Sequence, residues 1–198
     1  MRFAWLLLLA SASPALASPL DDARAAAKAH PKDANVQYDF GLALMKEIEV
    51  DLRNGKLSAP EKKLAAESEK AYLRALELAP DHGRAHIMLG MLYNFTAQYE
   101  KATPHLVRGM TLPKGSQDWW IAADTLVNVY FNQSQPAPAA PILEQIVEAR
   151  PKDAGAHYKL GLAYLFTGRK PQAAQEFKRT LELEPDHGGA KKQLAALE

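Results

Sequence analysis

From Ala156 the chain reads AHYKLGLAYLFTGRKPQAAQEFKRTLELEP, in which apolar residues return every three or four positions, pause at Thr-Gly-Arg-Lys, and then resume. That spacing places the apolar side chains on one face of a helix, so the stretch predicts two amphipathic helices joined by a short turn. Gly168 is placed to end the first helix, and Pro171 to sit near the start of the second. The same alternation follows earlier prolines. PKDANVQYDFG begins at Pro31, PDHGRAHIMLG at Pro80, PKDAGAHYKLG at Pro151 and PDHGGAKKQLA at Pro185. In the first three an apolar residue and a Gly come about ten residues after the Pro, as Phe40-Gly41, Leu89-Gly90 and Leu160-Gly161. Second helices follow as EKAYLRALEL, EKATPHLVRGM and PQAAQEFKRTLEL.

Pro151 and Pro185 lie 34 residues apart, and self-similarity at such a period marks stacked repeats. Small residues at Gly161 and Ala173 let two antiparallel helices approach, while Tyr164 and Phe177 fill the space around that approach. The unit from about Trp120 is less regular, because Val127 stands where a Gly is expected. The first unit carries an insertion of about 15 residues, EVDLRNGKLSAPEKKLA, which most simply lengthens both of its helices. Within it RNGK forms the turn, and Ser58 with Glu61 forms a capping box. SPLDDARAAAKAHP predicts a helix from Pro19 to Ala29, capped by Ser18 and favoured at its N-terminus by Asp21 and Asp22. GGAKKQLAALE predicts a terminal helix with a polar outer face.

These units resemble tetratricopeptide repeats. Leu160, Gly161, Tyr164, Ala173, Phe177 and Pro185 fill that family's pattern, and His157 stands where the family often has Trp. The resemblance implies an all-α, right-handed α-solenoid of antiparallel helix pairs, about ten helices in all. On this reading residues 18–33 form an N-terminal capping helix and 34–82 a first repeat with elongated helices. A second repeat spans 83–119, a degenerate third 120–153, a fourth 154–187, and a C-terminal capping helix 188–198. The resemblance also implies a groove lined by the first helix of each pair. Its slots fall on Tyr38, Leu42 and Met45, then on Arg84, Ile87, Met91, Asn94 and Phe95. They continue on Asp124, Asn128, Phe131 and Asn132, and then on Tyr158, Leu162, Leu165 and Phe166.

Composition narrows the functions available. The chain has 24 basic and 23 acidic residues, a balance with no electrostatic pull toward nucleic acid or anionic lipid. It has no Cys, so thiolate metal sites, a Cys nucleophile and disulfides are excluded. The opening MRFAWLLLLASASPALAS has a basic residue, an apolar run of about eight residues, and the small-x-small signal Ala15-Leu16-Ala17. The run is too short for a membrane span, which needs about 20 residues. Residues 1–17 therefore read as a signal peptide, and the protein is expected to be periplasmic or secreted.

Candidate chemistry is sparse. Asp81, His82 and His86 in PDHGRAHIML are spaced so that both imidazoles share one helical face, as in a metal site. The competing reading makes PDHG a junction between helix pairs, with Asp81 and Asp186 capping the next helix, as Asp33 and Asp153 do one residue later. His86 then shares a packing slot with Gln37, His157 and Lys191, while His30 and His105 sit in unrelated slots. A bound cation is disfavoured at a helix N-terminus, and the second copy has Lys191 in place of the later His. No phosphate loop or hydrolase motif is present. Trp119 is a candidate anchor for a partner, with Trp120 packed into the joint.

The expected function is thus a non-catalytic scaffold that binds a partner polypeptide in its groove, without cofactor, nucleic acid or stable membrane insertion. Aromatic, Met and Asn positions suit a peptide or helix, because they combine apolar contact with hydrogen bonding to backbone. The alternatives are a metal-binding or metal-sensing protein using Asp81, His82 and His86, and a structural homo-oligomer.

Overall fold

The computed structural model describes residues 18–49 and 57–197; the expected signal peptide and the RNGK turn lie outside them. Among the described residues there are ten α-helices and no strand. They are α1 (Pro19–Ala29), α2 (Ala34–Glu49), α3 (Ala59–Leu78), α4 (Gly83–Phe95), α5 (Tyr99–Gly109), α6 (Gln117–Asn132), α7 (Ala140–Ala149), α8 (Ala154–Phe166), α9 (Lys170–Leu183) and α10 (Gly188–Ala195). A 3₁₀ turn, Ala137–Ala139, precedes α7. The chain divides into two compact units, the first ending at Leu78 and the second running from Ala79.

In the first unit α2 packs between α1 and α3. Ser18 caps α1 as expected, and does so in a capping box, its hydroxyl accepting from the Asp21 N–H while the Asp21 carboxylate accepts from Ser18 N–H. Asp33 caps α2 by accepting from the N–H groups of Asn35 and Val36 at 2.9 and 3.2 Å. The Glu61 carboxylate accepts the Ser58 N–H at the start of α3. At 16 and 20 residues, α2 and α3 are longer than their counterparts, the 13-residue α8 and 14-residue α9, which is where the insertion went. Gly41 lets the helices close: a Cβ there would lie 2.6 Å from the Tyr72 ring. Gln37 donates to the Ala27 carbonyl at 3.1 Å, tying α2 to α1.

The second unit repeats this contact twice. A Cβ on Gly90 would meet Leu106 at 2.6 Å, and one on Gly161 would meet Phe177 at 2.5 Å. Both facing side chains are fully buried, so each close approach lies at the centre of its hairpin. The third pair differs. Val127 occupies the glycine slot, opposite Leu143, and α7 meets α6 over a shorter stretch than it meets α8. Glu144 on α7 accepts from the Tyr164 hydroxyl of α8 at 2.9 Å, and Arg169 lies 3.6 Å from the same carboxylate. Burial and that hydrogen bond push the Tyr164 phenol up to about 12. Ser116 caps α6, so this unit begins three residues before Trp120.

The PDHG motif corrects one expectation. Asp81 and Asp186 do not cap; His82 and His187 do, each Nδ1 accepting an N–H at 3.1 Å, from Ala85 and Ala190. The capping position is always the second residue after the Pro: Asp33, His82, Asp153 and His187. An unprotonated imidazole nitrogen serves as the acceptor that carboxylate oxygen provides elsewhere.

Candidate interaction surface

Within the second unit the first helices of the pairs, α4, α6 and α8, present one face tied together by polar contacts. Arg84 lies 2.8 Å from Asp118, linking α4 to α6 at one end. Farther along, the Asn132 amide donates to Asn94 at 3.2 Å. Lys159 on α8 donates to the Asn128 carbonyl oxygen at 2.8 Å. Asp124 pairs with Arg150 at 3.1 Å, and the Arg150 guanidinium lies 4.0 Å over the Trp120 ring. Such partly exposed pairs add little stability, but they hold long side chains in a defined arrangement.

Beside this polar row the face is apolar. Phe95 and Phe166 are 45% and 63% exposed, which is high for residues of this size. Phe131, Pro136, Leu162, Leu165 and Phe166 line an open pocket of about 420 Å³, bordered by Gln193 of α10. A contiguous apolar pocket beside hydrogen-bonding groups is the usual form of a peptide-binding surface.

The structure sorts the sequence-derived groove positions. Arg84, Met91, Asn94, Phe95, Asn128, Phe131, Asn132, Leu162 and Phe166 are partly or fully exposed. Three assignments are corrected. Met45, Ile87 and Trp119 are 7%, 3% and 3% exposed and belong to the core. Ile87 packs on Gly109, where an added Cβ would lie 2.4 Å from its Cγ1. Trp119 stands in the first turn of α6 and turns inward, its ring edge-on to Trp120 at 4.7 Å. Trp119, expected as an anchor, is thus buried, while Trp120 is part-exposed beneath the Arg150 guanidinium. Tyr38 and Tyr158 are half-buried. Tyr38 lies beside Tyr72 at 6.0 Å, whereas Tyr158 lies 4.4 Å from His187 and covers Gly189. Sequence reasoning missed Asp118, Arg150, Lys159 and Gln193.

The histidines are engaged elsewhere. His82 caps α4, and His86 places Nε2 2.9 Å from the Pro80 carbonyl and Nδ1 2.9 Å from Nδ1 of His105. Asp81, His82 and His86 therefore do not converge on a common point, and no group of three His, Asp or Glu among the described residues could hold a metal. His105 is no unrelated residue, since it faces His86 across the α4–α5 hairpin. Its counterpart is Glu176, whose carboxylate lies 2.6 Å from His157 Nδ1 across α8–α9. Burial, and then the neighbouring His86, hold the His105 pKa below the ordinary histidine value.

Residues 125–188 match the family described as tetratricopeptide repeat. No curated protein matches the chain. Among solved structures, the chain is similar to YrrB, a TPR protein with an unusual peptide-binding site, at 20% identity and a TM-score of 0.71, over 90% of this chain and 82% of that one. It is also similar to MamA, at 20% identity and a TM-score of 0.64, over 84% of this chain and 86% of that one. A MamA fragment from Desulfovibrio magneticus RS-1 aligns at 20% identity and a TM-score of 0.62, over 86% and 88% of the two chains.

Proposed function

We propose that the chain, whose residues 125–188 match the tetratricopeptide repeat family and whose fold is similar to that of YrrB, is a non-catalytic interaction scaffold whose second unit binds a partner polypeptide on the α4–α6–α8 face. The observation that carries this reading is the exposed apolar strip of Phe95, Phe131, Leu162 and Phe166 beside the row of Asn94, Asn132, Asn128 and Lys159. An extended or helical segment needs both parts. Its side chains bury against the strip, and its peptide groups find donors and acceptors in the amides. YrrB, with the same fold, has a peptide-binding site, which supports the assignment of class.

Among the described residues, the carboxylates and histidines of this unit named above serve as caps, inter-helix bonds or ion pairs with Arg. Export to the periplasm or medium is proposed from the leader-like pattern of residues 1–17. No described helix is long and apolar enough to cross a membrane.

The test compares the wild type with Phe95→Ala/Phe166→Ala, both exposed positions, in crosslinking and capture from an extract of the source cells. Loss of a specific captured band in the double variant is expected. Equal capture by the two proteins sinks the surface.

A further inference from the structure

The open pocket beside the C-terminal half of α8 combines an apolar bowl with two uncommitted polar groups. Phe131, Leu162, Leu165 and Phe166 line it together with Pro136, and its accessible lining is mostly apolar. Every residue that lines it is uncharged. A charged side chain entering it would shed water with no countercharge to meet it, so the pocket selects a neutral group. Two polar side chains complete the lining. Ser134 takes the left-handed turn after α6, at φ 57°, that Ala97 takes after α4 and Gly168 after α8, and of these three it alone brings a hydroxyl. Gln193 on α10 supplies an amide. Among the described residues neither side chain hydrogen-bonds to the protein. A hydroxyl, an amide donor and an amide acceptor are thus available beside an apolar bowl.

We propose that this pocket takes one aromatic side chain with a polar tip, Tyr or Trp, of the bound polypeptide. The inference rests on the interaction reading above and names what that face selects. Size is the first argument. A volume of about 420 Å³ falls within the range of about 300–1,000 Å³ that encloses small ligands, so a ring and its tip both fit. A lone isopropyl or isobutyl group would leave most of that space to water. The lining is the second. Phe131 from α6 and Phe166 from α8 offer rings, and ring pairs in offset or edge-on contact gain attraction beyond the area they bury. The tip is the third. A phenol hydroxyl or indole N–H carried into an apolar site loses a hydrogen bond to water unless the site replaces it. The Gln193 carbonyl oxygen and the Ser134 hydroxyl can each accept from either group. A Phe side chain fits the same bowl but leaves those two groups without a partner.

The probes are N-acetyl-L-tyrosinamide, N-acetyl-L-phenylalaninamide and N-acetyl-L-leucinamide, titrated into the methyl-labelled full chain and followed by NMR. The expected result is saturable shifts of the Leu162 and Leu165 methyls with tyrosinamide, binding about fivefold weaker with phenylalaninamide, the loss of one hydrogen bond, and weaker again with leucinamide. Gln193→Leu/Ser134→Ala should erase the preference for tyrosinamide while both aromatic probes still bind. Ala97 shows that alanine holds this left-handed turn, so the double variant keeps its fold. Phe166→Ala, at an exposed position, should weaken all three probes. Equal binding of the two aromatic probes by the wild type, or a preference that survives the double variant, overturns the proposal. No shift of these methyls with any probe also overturns it, and the wider face is then judged by the capture experiment, which also tests Phe95 outside the pocket. Shifts that follow protein concentration without a probe would give the pocket to a second copy of the chain. Shifts with phosphatidylcholine vesicles but with no probe would give it to a lipid surface. Either result overturns the assignment to a partner's aromatic side chain.

Discussion

Tyr72 and Phe177 do the same work on either side of the chain's division, each ring lying where a glycine Cβ would be. They differ by one hydroxyl, which on Tyr72 is fully buried and pushes its phenol pKa up. Burying a hydroxyl without a good partner costs about 1–3 kcal/mol. Tyr72→Phe is therefore expected to leave the fold intact and to raise the melting temperature. Gly161→Ala should act in the opposite sense, because its Cβ would stand 2.5 Å from the Phe177 ring. A loss of about 1–3 kcal/mol is expected in a denaturant titration. His82 gives a third test. Asp at an N-cap adds a charge favourable to the helix dipole, so His82→Asp should stabilise by up to about 1 kcal/mol, and chelator should leave the wild-type melting temperature unchanged.

At the scale of the element, the α4–α5 and α8–α9 hairpins each have a side-chain contact between their two helices, made from different groups. In α8–α9 both nitrogens of His157 face oxygen, the Glu176 carboxylate at 2.6 Å and the Pro151 carbonyl at 3.2 Å. In α4–α5 a second histidine replaces the carboxylate. With Nε2–H of His86 given to Pro80, its Nδ1 accepts from His105, and a second positive charge is repelled. The other groups against this pair are the Tyr93 ring, 5.8 Å from His105, and Lys101, 5.2 Å above that ring. Neither supplies a negative charge. Since the His105 pKa is lowered on folding, the unfolded chain binds the proton first. Stability is then fully present above the ordinary histidine value of about 6.5 and falls as pH drops through it toward the lowered folded value. Thermal melts across that window should show the loss, and His105→Glu, which copies the α8–α9 pair, should remove it.

For the molecule as a whole, the proposed leader is tested separately from the proposed interaction face. If residues 1–17 are removed on export, the mature protein should begin at Ser18, which N-terminal sequencing from the expressing cells reads directly. Ser18 is also the cap of α1, so cleavage there leaves the first helix complete. A start at Met1 in the exported fraction would refute the assignment.

Much was legible before any coordinate. Proline-to-proline spacing and glycines ten residues on report local chemistry, because turns and helix ends are decided by the backbone preferences of a few adjacent residues; the caps were legible at Asp33 and Asp153 but were placed one residue early at Asp81 and Asp186, where His82 and His187 cap. Hence the helices, their elongation in the first unit and the slot shared by Gln37, His86 and His157 could all be read from sequence. What only the tertiary structure decided is which side of each helix stays uncovered. Met45, Ile87 and Trp119 carry the periodicity of a binding face, yet all three are buried, Ile87 against Gly109 and Trp119 edge-on to Trp120. Val127 in the glycine slot was legible in the sequence, whereas the contacts of Glu144 on α7 with Tyr164 and Arg169 were seen only in the structure. Local order follows from neighbours in sequence, whereas exposure and cavities follow from neighbours in space.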